Sequence, residues 1–99
     1  MAKFNLGDVV VTAGIDKVMQ ESPAFTSGIY QCLERYEKGD WGELCDEDKA
    51  VNEDALKYPD DLYLLAAYTV CLRKIYIITN RKSEMPGDNV TTVLFVEEY

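Results

Sequence analysis

The sequence predicts one α+β domain over residues 1–99: three helices in the N-terminal half, packed on a mainly antiparallel sheet of about four strands. Three observations predict it. Apolar residues recur at helical spacing through the first half of the chain. From Leu62 onward the pattern changes to that of strands. The run of strands comes last, after the helices, which favours an antiparallel arrangement over a parallel βαβ one.

The segment Phe4 to Thr12 places β-branched residues after a Gly7-Asp8 turn and reads as a strand that extends the sheet. Thr12 can cap a short helix carrying Ile15, Val18 and Met19 on one face. Ser22-Pro23 stops that helix and opens a second, with serine as cap and proline in the first turn. Phe25, Ile29, Cys32, Leu33 and Tyr36 then form one apolar stripe, ended at Lys38-Gly39 by a glycine free to turn left-handed. A short connector, Asp40 to Leu44, holds the only tryptophan. A third helix runs from Asp46 to about Lys57, with acids in its first turn where the helix dipole favours them. Its apolar positions are Val51, Ala55 and Leu56, with Leu44 ahead of it, so one narrow edge is expected to be buried. Tyr58-Pro59-Asp60-Asp61 is a turn. Leu62 to Val70 and Lys74 to Thr79 are strands joined around Cys71-Leu72-Arg73. Asn80 to Asn89 is a loop, and Val90 to Val96 the last strand. Phe25, Ile29, Leu33, Leu64, Ile75, Ile77 and Leu94 are expected among the buried residues.

Hydrophobic residues make up 47% of the chain, enough for a packed core without staples. No apolar run reaches the ~18 residues that span a bilayer. The first residues lack the apolar region of a signal peptide, so a cytoplasmic location is expected. Three widely spaced cysteines, Cys32, Cys45 and Cys71, suggest reduced thiols, with Cys32 on a helix face and the others near element ends.

The formal charge is −8. Ten acids and three bases between Glu37 and Asp61 give that stretch −7. Such a field repels nucleic acid and anionic membrane and attracts basic protein surfaces. The expected partner is a protein or nucleoprotein with a basic surface, without direct nucleic-acid or membrane binding; a homodimer pairing through a β-edge is the alternative. The candidate partner-binding residues are Asp40, Trp41, Glu43, Asp46, Glu47, Asp48, Glu53 and Asp54. Trp41 either closes one end of the core, its indole N–H meeting a backbone carbonyl, or stands exposed among acids as an anchor. Arg73, Lys74, Arg81 and Lys82 form a basic rim expected to pair with the acidic helix, within the fold or across a dimer.

The chain has no histidine, which excludes Cys–His and Ser–His catalysis. No catalytic, cofactor or metal residues are assigned, and no cofactor is expected. Paired carboxylates leave a small carboxylate-dependent enzyme as a second alternative, although acids on a helix with little apolar surface read better as a solvated face. The triplet Asp46-Glu47-Asp48 lacks the glycine that a calcium loop needs at its sixth position, which is Val51 here. Gly39 and Gly42 bracket Asp40-Trp41, where negative charge opposes phosphate.

Taken in order, Leu6-Gly7-Asp8-Val9-Val10, Thr12-Ala13-Gly14, the block Gly39-Asp40-Trp41-Gly42-Glu43-Leu44, Glu47-Asp48-Lys49, Asn52-Glu53, Leu65-Ala66-Ala67-Tyr68, Ile75 to Thr79, Thr91 to Leu94 and Glu97-Glu98-Tyr99 resemble a family of small, uncharacterised bacterial proteins carried on plasmids and phages. The resemblance covers nearly the whole chain. It implies a mobile-element setting, in which small acidic proteins often block host defence complexes by occupying basic grooves; it implies no activity. The family's typical histidine before the Gly-Asp-Trp block is absent, Tyr36-Glu37-Lys38 standing there. Asn80–Asn89 is longer than the family's usual link between the last two strands, and Tyr76 stands where tryptophan is common.

Overall fold

Within the computed structural model the described residues are 3–58, 63–81 and 89–99. Their elements run β1 (Asp8–Val11), α1 (Ala13–Glu21), α2 (Pro23–Glu37), α3 (Asp46–Ala55), β2 (Tyr63–Val70), β3 (Arg73–Arg81), β4 (Asn89–Phe95) and a 3₁₀ turn, Val96–Glu98. Two hydroxyls set the helix starts. The Thr12 oxygen accepts from the N–H of Ile15 at 3.3 Å, and the Ser22 oxygen accepts from that of Phe25 at 3.1 Å, each satisfying a donor with no partner inside its helix. The N–H of Ser22 also caps α1 through the Val18 carbonyl, at 2.9 Å. One residue thus closes one helix and opens the next.

The sheet order is β1-β4-β3-β2. The pairs β2–β3 and β3–β4 are antiparallel, but β1 runs parallel to β4, with Val9 opposite Thr91 and Val11 opposite Val93. The α+β class therefore holds, with a mixed sheet. A strand precedes the helices, and all three helices lie in the connection between β1 and β2. The connection from β1 to its parallel partner β4 thus includes the helices, β2 and β3, and a parallel pairing requires such a long return, since a tight turn cannot bring a strand back in the same direction. β1 is also shorter than the Phe4–Thr12 segment: Phe4 instead sets its ring edge-on to Tyr36, at 5.1 Å between centroids.

Alternation along the strands builds the core. Leu64, Ala66, Tyr68 and Val70 of β2, Ile75 and Ile77 of β3, and Val93 and Phe95 of β4 meet Phe25, Ile29, Cys32 and Tyr36 of α2, with Ile15 of α1. Leu33 lies at the margin, half-buried rather than buried. Leu94 is buried as expected, but two-residue alternation puts it, with Ile78, on the opposite sheet face from this cluster.

A chain of buried hydroxyls crosses the sheet beneath α2. Tyr36 donates to Thr79 Oγ1 at 2.7 Å, Thr79 and Thr91 are 2.8 Å apart, and Thr91 donates to the Leu6 carbonyl at 2.7 Å. With both ends fixed, Thr79 is the donor to Thr91, and each hydroxyl donates once. Every buried polar side-chain atom among the described residues has a partner.

The β2–β3 hairpin turns on Cys71 and Leu72, whose φ angles are +49° and +70°. Two consecutive positive values fit the right-handed twist of the strands but disfavour residues with a Cβ. Leu72 is 97% exposed at the tip. β3 continues through Asn80 to Arg81, and β4 begins at Asn89. The rest of the expected loop, 82–88, and the turn residues 59–61 lie outside the described residues. No helix is long and apolar enough to cross a membrane among those residues.

Candidate protein-interaction site

The connector between α2 and α3 is fixed against the outer edge of β2. Gly39 adopts φ +86° and ends α2 as expected. Arg35, near that end, holds Asp40 through two hydrogen bonds, Nε–Oδ2 at 2.8 Å and Nη2–Oδ1 at 3.3 Å, and its guanidinium lies over the Tyr68 ring. The Tyr68 hydroxyl donates to the Asp40 carbonyl, and the Gly42 N–H donates to the Asp40 side chain. The hydrogen bond from Arg35, with the Gly42 N–H, holds the Asp40 carboxyl below its ordinary range.

Gly42 then pairs with Ala67 as an isolated parallel bridge. The N–H of Glu43 donates to the Ala67 carbonyl at 2.7 Å, and the N–H of Ala67 donates to the Trp41 carbonyl at 3.4 Å. Only glycine fits at this bridge: φ is +72°, and a Cβ on Gly42 would stand 2.0 Å from the Ala67 oxygen.

Nearly two turns into α3, Asn52 does the same for Leu65. Its Nδ2 donates to the Leu65 carbonyl at 2.6 Å, and its Oδ1 accepts from the Leu65 N–H at 3.2 Å. A side-chain amide thus copies the pairing of a neighbouring strand. Val51 was expected on the buried edge of α3; it is 64% exposed, and Asn52 takes the buried place. Ala55 and Leu56 do pack against the core.

Trp41, one of the expected partner-binding residues, is 3% exposed and belongs to the core. Its ring stacks on Phe4 at 6.2 Å and meets Tyr36 nearly edge-on at 5.7 Å. The indole N–H donates to Glu53 Oε1 at 3.1 Å, a carboxylate rather than the expected backbone carbonyl. Trp41 therefore offers no ring to a partner.

The eight expected site residues separate into two sets. Trp41, Asp40 and Glu53 are engaged in the fold. Glu43, Asp46, Glu47, Asp48 and Asp54 are exposed, and none of them forms an ion pair among the described residues. Of the expected basic rim, Arg73 turns elsewhere: it pairs with Glu97 at 2.8 Å and lies 3.8 Å over the Phe95 ring. The side chain of Arg81 and the whole of Lys82 lie outside what is described. Burial pushes the Cys32 thiol up, whereas Cys45 and Cys71 are exposed, at the cap of α3 and at the hairpin tip.

Two recesses flank this edge and the opposite end of the fold. A groove of about 140 Å³ lies between α3 and β2, lined by Leu44, Asp48, Val51, Asn52, Tyr63 and Leu65, a feature the sequence reading did not foresee. A cleft of about 410 Å³ lies between α1 and the 3₁₀ turn. In that cleft Arg73 is spent on Glu97, and Glu98 Oε1 accepts from the Thr12 hydroxyl and the Phe95 N–H, both at 2.8 Å. No three acidic or thiol side chains converge there, or elsewhere among the described residues, to hold a metal ion. No family model, curated protein or solved structure matches the chain.

Proposed function

We propose that this protein is a non-enzymatic interaction module of a mobile genetic element that binds a basic surface of a protein or nucleoprotein. An inhibitor of a host defence system, of the anti-CRISPR or anti-restriction type, fits that description. The observation that carries the reading is the outer face of α3. Among the described residues the side chains of Asp46, Glu47, Asp48 and Asp54 are exposed there with no ion-pair partner and no side-chain hydrogen bond. The helix dipole favours Asp46, Glu47 and Asp48 in the first turn but not Asp54 near the other end, and like charges crowded on one short helix repel one another in the isolated chain, whereas they speed encounter with an opposite charge. The mobile-element setting rests on the sequence resemblance alone. The cytoplasm is the compartment in which such a partner would be met.

A homodimer formed by β-edge pairing is the weaker reading, because Asn52 and the connector already occupy the outer groups of Leu65 and Ala67 at the β2 edge, and the other edge strand, β1, is four residues long. A carboxylate enzyme is weaker still, since the free acids stand on an open helix surface rather than in an enclosed cleft.

The test is lysine replacement at Asp46, Glu47, Asp48 and Asp54 together, leaving Asp40 and Glu53 intact. Affinity capture from a bacterial host should recover a basic protein with the wild type, less of it as salt rises, and little with the variant. Association kinetics with that protein should show a slower on-rate for the variant and a flatter salt dependence, since steering is screened beyond ~8 Å at physiological ionic strength. Equal on-rates and salt slopes for the two folded proteins sink the reading.

A further inference from the structure

We infer that the groove between α3 and β2 is the anchoring point of that partner, and that its occupant is one branched aliphatic or aromatic side chain carried by a lysine- or arginine-rich segment. The inference rests on the acidic-face reading and narrows it to a chemistry.

The walls define the occupant. Leu44 and Leu65 are half-buried, and Val51 and Tyr63 stand 64% and 44% exposed. The amide of Asn52, at the base, is spent on both backbone groups of Leu65, which leaves Asp48 as the charged wall. A polar ligand would find few unspent groups at that base, whereas an apolar side chain would displace water from apolar surface left open among the described residues. The volume, about 140 Å³, is of the order that holds one benzene-sized group in an apolar cavity. A single residue fits; a helix face does not.

Charge decides what surrounds that residue. Asp48 is itself a wall of the groove, and the same helix carries Asp46, Glu47 and Asp54. Lys49 is the one base in α3. An acidic or neutral segment presenting the same apolar side chain would meet repulsion or no attraction, so complementarity selects a basic one. The division of labour is that of many interfaces, with an apolar anchor setting the off-rate and rim charges setting the on-rate.

The experiment is an NMR titration of the full chain, isotopically labelled, with two synthetic peptides. One is lysine-rich with a single central leucine; the other is identical with serine in place of leucine. The leucine peptide should bind about ten-fold more tightly, the gain expected from burying one such side chain, and should move the amides of Leu44, Asp48, Val51 and Tyr63. Val51→Ser, at an exposed position, should abolish the difference between the peptides and leave the serine peptide's affinity unchanged. Equal binding of the two peptides to the wild type overturns the groove while the acidic-face reading stands. If neither peptide binds at low salt, the acidic-face reading falls and the groove with it.

Discussion

Glu53 and Asp54 are neighbouring acids on the same helix, and the structure gives them different work. Replacing Glu53 by alanine removes the acceptor of the Trp41 indole N–H, a bond of 3.1 Å. A buried donor left without a partner costs about 1–3 kcal/mol. Trp41 is buried but Glu53 is exposed, so its deletion opens a path for water to the indole, which puts the expected cost near the lower end, about 1 kcal/mol. For a domain of this size that corresponds to a fall in melting temperature of roughly 4–8 °C. Glu53→Gln keeps an oxygen in place and should recover most of the loss. Asp54→Ala removes the same charge with no hydrogen bond and should stay within about 0.5 kcal/mol of the wild type. Urea unfolding followed by the fluorescence of the single tryptophan measures all three variants and reports the indole's surroundings directly. Equal stabilities for Glu53→Ala and Asp54→Ala would show that only charge matters at both positions and would refute the structural role of Glu53.

Thr79→Val keeps the shape of a fully buried residue and breaks two links of the hydroxyl chain. It should cost about 2 kcal/mol, and with Tyr36→Phe the double variant should lose less than the sum, because the phenol then no longer needs an acceptor. Additive losses in chemical denaturation contradict a coupled chain. At high pH, burial raises the phenols of Tyr36 and Tyr68, and the hydrogen bond to Tyr99, with burial, pushes Tyr63 up to about 12. The unfolded chain ionises tyrosine near pH 10. The neutral phenols therefore contribute stability that is complete below about pH 10 and is lost as pH rises through the folded values. Melting temperatures should fall steeply above about pH 10, with the tyrosinate absorbance of the buried pair rising only as the fold opens; a flat profile from about pH 8 to 11.5 argues against it.

The parts legible in the sequence are those that local pattern controls. The α2 stripe from Phe25 to Tyr36, the caps at Thr12 and Ser22 and the two-residue alternation of β2 all depend on neighbours within a few positions. What escaped depends on distant partners. Nothing in the spacing of α3 marks Asn52 as the buried residue in place of Val51, because its worth comes from the backbone of Leu65. Glu53 looks like Asp54 until Trp41 is placed beneath it. The parallel pairing of β1 is a choice between sheet edges, which no local period encodes. Cys71-Leu72 lacks the Asn-Gly signature of a tight hairpin, so the positive φ angles at that turn were invisible as well. Of the candidate site, the concentration of charge was readable, but the groove beside it was not, since its walls come from a connector, a helix and a strand.

The pairing of β1 with β4 bears on the order in which the protein can be made. Asp8–Val11 is synthesised well before its partner strand Asn89–Phe95, which follows the three helices and the other strands of the described residues. The adjoining Asn5 and Leu6 wait for the same region: their carbonyls accept from the Asn89 amide and the Thr91 hydroxyl, both at 2.7 Å. While the chain is growing, α1 and α2 have one another but no sheet to cover their apolar faces. The closing contact also spans the longest loop in the fold, whose entropy must be overcome before any of these bonds forms. Folding is thereby tied to completion of β4, and a ribosome stalled before Asn89 holds a chain whose first strand has no edge to join.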